Sequence, residues 1–349
     1  MIRRAEVIAL LLPLSIACNP EGSVEVEPGN IWSEANDVRR RFASVVFDTL
    51  WTYGSIDDTV LQMPGEIVPA PHGGVYVFDL AASRAVHIDE AGRVAWVWGR
   101  RGQGPGEFMD VRALSEDHDG GIVLADHGNG RIVRLDPDGN LVREVPLLIE
   151  ASYVDGIAAV EGGYALYTNG EPSLMIVNED GREKARLANP SVAWEGIHWM
   201  QRTGDVVSWS GDAWVLGFEV GNGWYVIRGD SIAAYPYVEH TSFPVMTVTV
   251  ATEGATTTTT QRLPRVPYSG STLSVRGDTL GVFFEGRSPD RNRTLDLYDL
   301  TTGAYIHSVA TPRASDVVLA EDGTIYLLSR RSGLYSIVTA LKPRKGGNS

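Results

Sequence analysis

Five carboxylic acids recur at similar places in five short segments of the chain. They are Glu66 in PGEIVPA, Asp110 in FMDVRAL, Asp155 in VDGIAAV, Glu195 in WEGIHWM and Asp316 in ASDVVLA. Each stands at or beside the start of an apolar stretch that reads as a strand. Glu66, Asp155 and Asp316 share one offset, nine residues ahead of the next strand start. If these strands converge, two chemistries are open to the acids. Together they could ligate a hard cation, calcium or another divalent ion, or raise one another's pKa. Singly, each could cap backbone N–H groups of the adjacent repeat unit, the commoner use of a carboxylate at a strand end. Asp79 and Asp126 are expected to do the latter.

Other chemistry is harder to place. Five of the nine tryptophans lie between residues 194 and 224. Most should be packing, but Trp214, read as sitting in the turn after a strand, is a candidate stacking surface for a sugar or peptide. The seven histidines have no HxxxH or paired spacing that suggests zinc, and no GxSxG elbow supports a Ser-His-Asp set. The glycine-rich run GRRGQGPGEF (99–108) has no lysine, and a strand follows it where a phosphate loop needs a helix. It reads as a joint between two pieces of sheet. No residue carries a catalytic role on its own surroundings.

A repeat must position these groups. GGVYVFD (73–79), GGIVLAD (120–126), GGYALYT (162–168), GDVVSWS (204–210), GDTLGVFF (277–284) and DGTIYLLS (322–329) each pass from a Gly/Asp turn into an apolar strand. The strand starts are spaced by 47, 42, 42, 74 and 45 residues. The long interval contains the low-complexity insert 241–270, which reads as a long loop over one face, a lid or a partner contact. An alternating strand and a polar turn follow each run, then a further strand. A unit of about 45 residues with four strands is a propeller blade. The expected fold is all-β: a six-bladed β-propeller of four-stranded blades. The sixth unit lacks an outer strand, and SVVFDTLWTYG (44–54) near the other end of the chain supplies one. The last blade is thus expected to be closed by an N-terminal strand.

GQGPGEF, then DGGIVLAD and NGRIVRLDPDG, resembles an NHL repeat of the six-bladed propeller class, closest over residues 102–139. The whole layout is similar to lipid-anchored six-bladed propeller proteins of bacteria, a resemblance that implies a fold and little chemistry. Peptide alpha-amidating lyases of this architecture hold zinc through histidines, and none stands at the matching positions here. Gluconolactonase-like propellers hold a divalent ion with a Glu, two Asn and an Asp. Glu66 matches the first, and no asparagines match the others.

The segment MIRRAEVIALLLPLSIAC places two arginines before an apolar run too short to span a bilayer. Its LSIA resembles a lipobox ahead of Cys18, the sole cysteine. The resemblance implies cleavage before Cys18, acylation of it and, with Asn19 following, the outer membrane. The expected organisation is therefore a signal peptide (1–17), a polar tether (18–42), a propeller (43–343) and a tail (344–349). A net charge of −14 over 349 residues argues against nucleic acid as a partner, and leaves the lipid anchor as the expected membrane contact. The expected protein is a monomeric binding or scaffolding module for a small molecule, carbohydrate or protein. The alternative is a divalent-metal-dependent hydrolase or lyase, lactonase-like, working at the acidic mouth.

Overall fold

The computed structural model describes residues 40–55, 57–149, 153–168, 174–187, 204–218, 223–239, 247–253, 256–262, 272–284, 292–331 and 335–344, together with a two-residue ladder of Ala17–Cys18 against Val24–Glu25. Residues 1–16 of the expected leader, nearly all of the tether (18–42), residues 345–349 of the tail, and Glu195 lie outside these residues. Among them, six antiparallel four-stranded sheets stand as the blades of a β-propeller. The inner strands are Pro64–Pro69, Val111–Glu116, Val154–Val160, Gly204–Ser210, Leu273–Arg276 and Asp316–Leu319, which define blades 1 to 6. We call the end where these strands begin the upper face and the end where they finish the lower face.

The unbroken apolar runs are second strands, and each serves two cores at once. In Val75–Asp79 of blade 1, Val75 and Val77 pack toward blade 6, whereas Tyr76 and Phe78 pack toward blade 2. Ile122 and Leu124 of blade 2 face blade 1, and Val123 and Ala125 face blade 3. Successive side chains of a strand point to opposite faces, so a sheet covered on both sides needs apolar residues throughout. Six hydrophobic clusters result, one in each gap between neighbouring blades.

The ring closes as the sequence implies. Phe47–Tyr53 pairs antiparallel with Tyr335–Pro343 in blade 6, from Val338 opposite Tyr53 to Pro343 opposite Phe47. Docking begins earlier than the expected boundary at residue 43. Arg40 is held by Asp296 in two hydrogen bonds of 3.0 Å, and by Glu239, with its guanidinium 3.5 Å from the Phe284 ring centroid. Ala43 N–H then donates to Ser308 of blade 5 (2.9 Å).

Two expectations need correction. In blade 4 the run GDVVSWS is the inner strand, not the second; the second is Ala213–Phe218. Trp214 therefore stands inside a strand, opposite Ser208 and Ile227, and is 1% exposed between blades 3 and 4. It offers no stacking surface. The turn that was misplaced is Ser210–Asp212, where Gly211 takes a positive φ of 60°. Within the 241–270 insert, Thr247–Glu253 and Thr256–Arg262 form an antiparallel hairpin where the sequence suggested an irregular loop. In chain order it falls between the outer strand of blade 4 and the inner strand of blade 5, whose facing ends are both on the upper face.

Candidate functional site: the axial channel

Tilted inner strands leave a channel along the axis, and the recurrent acids line its upper half. Glu66, Asp110, Asp155 and Asp316 all border one cavity of about 510 Å³. The position expected for Glu195 belongs to Asp205, at the start of the true inner strand of blade 4. Blade 5 contributes Thr272. Five carboxylates and one threonine thus mark six inner strands. The signal for Asp205 was present, since Gly-Asp-Val-Val at 204–207 parallels Ser-Asp-Val-Val at 315–318. The Gly204-Asp205 pair, which lies in the strand itself, imitated in sequence the Gly/Asp turn that precedes second strands elsewhere.

Backbone capping accounts for much of what these carboxylates do. Asp205 Oδ2 accepts the Leu273 N–H of blade 5 at 2.6 Å, and Oδ1 accepts its neighbour Val206 N–H at 2.7 Å. Asp316 accepts the Ile67 N–H of blade 1 at 3.3 Å, and the Thr272 hydroxyl donates to it. Asp110 pairs with Arg112 at 2.9 Å, and Arg112 also lies 4.6 Å over the Tyr153 ring. Asp79 and Asp126 do cap backbone N–H groups, but within their own blades and not across to the next, each accepting two from the approach to its own blade's inner strand. Burial pushes the Asp205 carboxyl up to about 7, with repulsion from Asp316 added and the two backbone donors opposing. A carboxyl at that level exchanges protons near neutrality. Among the described residues, no three His, Cys, Asp or Glu side chains are grouped so as to hold a metal ion.

A second cavity of about 450 Å³ fills the lower half of the channel. It shares Glu66, Leu114, Asp205 and Thr272 with the upper one, so the two chambers meet at that waist. Its rim carries Glu116, His118, Trp209 and Glu321 at the ends of inner strands or just beyond them. Glu116 is itself exposed to the chamber, and the desolvation imposed by the surrounding channel walls, then the charges of Glu321 and Asp117, raise its carboxyl to about 7. The sequence reading placed no group on this face.

The 99–108 loop is a joint. Gly102 N–H donates to Phe108 C=O, Gly104 N–H donates to Glu107, and Asn129 donates to the Gly102 carbonyl at 3.1 Å. Its polar backbone is spent on itself and on blade 2.

No protein-family model matches the chain, and no curated protein matches it. Among solved structures it is similar to a proposed exported protein of Bacteroides fragilis NCTC 9343, with 11% identity over 86% of this chain and 95% of that one and a TM-score of 0.55. It is also similar to U3-55K, with 12% identity over 86% and 99% and a TM-score of 0.54. A streptogramin B lyase aligns at 14% identity over 84% and 98%, with a TM-score of 0.51. At such identities the likeness is one of fold. A fold of this kind hosts many unrelated functions, so the site has to carry any functional argument. Among the described residues no helix is long and apolar enough to cross a membrane.

Proposed function

We propose that this protein is a lipid-anchored propeller of the bacterial cell envelope that binds its ligand in the axial channel. The observation that carries the reading is the channel itself, two chambers joined at a four-residue waist inside a closed ring. Pockets lined by apolar walls with a few directed polar groups are where small ligands bind. The lipobox-like LSIA ahead of Cys18 and the similarity to a proposed exported protein support the envelope setting. In this reading residues 1–17 are a cleaved leader and Cys18 carries lipid at the outer membrane. The chain up to Arg40 is a tether to the propeller, and residues 344–349 form a short tail. The insert hairpin contacts a partner at the upper face. The ligand is a small molecule, carbohydrate or protein, the membrane is met through lipid, and the propeller is a monomer. An acidic channel and a net charge of −14 disfavour nucleic acid.

The anchor is tested by labelling cells with an alkyne fatty acid. The wild type should be labelled and membrane-bound, and Cys18→Ala should be neither. A soluble, unlabelled wild type would overturn the anchor. Binding is tested by thermal shift against sugars, short peptides and lactones, with cross-linking for protein partners. No shift and no cross-linked partner would overturn the binding module.

One observation favours a catalytic reading: Asp205 and Glu116 both stand in the channel with carboxyls raised to about 7, where a general acid or base works best. Metal-assisted hydrolysis has less support, because Asp205, Asp316 and Asp110 are engaged by backbone donors, Thr272 and Arg112. Turnover of lactones that is abolished in Asp205→Asn, with metal content measured alongside, would establish this alternative.

A further inference from the structure

The lower chamber combines features that neither the upper carboxylates nor the repeat assigns. We propose that it is a binding site for an organic ammonium ion carried on an apolar or aromatic body. The proposal rests on the reading of the channel as a binding site and adds a chamber, a charge and a shape.

Three observations converge. The chamber's volume, about 450 Å³, falls within the roughly 300–1,000 Å³ usual for small-molecule pockets. Its walls present apolar and polar surface side by side, with Val68, Pro69 and Val207 among the apolar residues, and among the described residues no lysine or arginine lines it. Its charged groups are therefore acidic, apart from His118.

These acids differ in what engages them. Asp117 is taken by Arg134, and Glu321 accepts the Gly277 N–H at 3.2 Å while its own carbonyl accepts Arg276 Nε at 2.7 Å. Asp205 is engaged by two backbone donors. The Glu116 carboxylate has no hydrogen-bond or ion-pair partner among the described residues, and the charges of Glu321 and Asp117 bear on it. A bound cation would relieve that repulsion, whereas an anion would add to it.

Trp209 supplies the third feature. Its indole N–H donates to Asp278 at 3.2 Å, which orients the ring at the chamber rim. The Arg228 guanidinium already lies 5.4 Å from the ring centroid, so this indole takes part in a cation–π contact in the free protein. An aromatic ring and an unpaired carboxylate lining the same chamber are the chemistry that selects ammonium over neutral or anionic groups of the same shape.

Calorimetry on the purified propeller with benzylammonium, benzyl alcohol and benzoate tests this. Benzylammonium should bind about tenfold or more tightly than benzyl alcohol, equivalent to about 1.4 kcal/mol, and benzoate should not bind. Glu116→Gln should abolish the advantage and leave benzyl alcohol binding and the melting curve intact. Trp209→Leu should weaken benzylammonium several-fold. Asp155→Asn, in the upper chamber, should leave the advantage of benzylammonium over benzyl alcohol in place. Equal affinity for benzylammonium and benzyl alcohol overturns the cation site and leaves a channel that binds. An advantage that survives Glu116→Gln but vanishes in Asp155→Asn moves the cation to the upper mouth and overturns the assignment. If none of the three compounds binds, the proposal fails, and the wider binding module is then judged on its own sugar, peptide and cross-linking results.

Discussion

At the scale of single residues, Asp205 and Asp316 do two jobs with one functional group. Each accepts a backbone N–H from the following blade while facing the channel, so it stitches inner strands together and charges the lumen. Asp205→Ala removes both of its backbone contacts and should cost about 1–3 kcal/mol, because buried donors are left unsatisfied. Its pH dependence has a definite sign. The folded pKa, about 7, stands above the ordinary 3.8, so the stability gained from holding the proton is complete below about pH 3.8 and disappears as pH rises through 7. The gap in urea stability between wild type and Asp205→Ala should accordingly be wider at pH 5 than at pH 8. A gap that widens with pH would show that this carboxyl is not raised. Trp214, buried between two blades, is a packing residue, and Trp214→Ala should cost about 3–5 kcal/mol by chemical denaturation.

At the scale of elements, blades lock through a repeated contact at the lower rim. Trp51 in the outer strand of blade 6 donates its indole N–H to Glu90 in the last turn of blade 1 (3.0 Å), and Trp96 of blade 1 donates to Pro137 of blade 2 (2.8 Å). Each ring lies on the glycine of the turn it reaches. At Gly139, φ is +81° and an added Cβ would lie 2.6 Å from Trp96. Trp96→Phe should lose about 1 kcal/mol with the hydrogen bond. Gly139→Ala should cost more, from backbone strain and collision together, and a thermal melt as high as that of Trp96→Phe would argue against the lock. Apolar period, turn chemistry and strand length made five of the six blades legible in the sequence. Blade 4 was shifted by one strand because Gly-Asp precedes both Val206 and, through Gly211–Asp212, the second strand. Only the second pair is a turn, with Gly211 at a positive φ of 60°, whereas Gly204 and Asp205 lie in the inner strand, and hydrogen-bond pairing distinguishes the two.

At the scale of the molecule, one closure decides whether there is a propeller. Phe47–Tyr53 fills the fourth place of blade 6, and Arg40 pins the preceding chain to blade 5 through a buried ion pair. Deleting residues 43–55 should leave an unpaired edge along Tyr335–Pro343 and give an aggregating or protease-sensitive product; a monodisperse, cooperatively melting truncation would contradict the closure. Arg40→Met should cost about 3–5 kcal/mol, since it strands Asp296, 2% exposed, without its cation.

The sequence alone determined the strand content, the six-fold repeat, the strand exchange and four of the acids around the axis, because those follow from local apolar pattern, turn residues and a fixed period. Tertiary structure decided what no local rule reaches: that Asp205 and not Glu195 completes the ring, that Trp214 is enclosed, and that a second chamber with Glu116 and Trp209 opens on the lower face. A channel is bounded by residues from six blades at once. Its composition depends on which strand of each blade turns inward, and pairing between strands sets that.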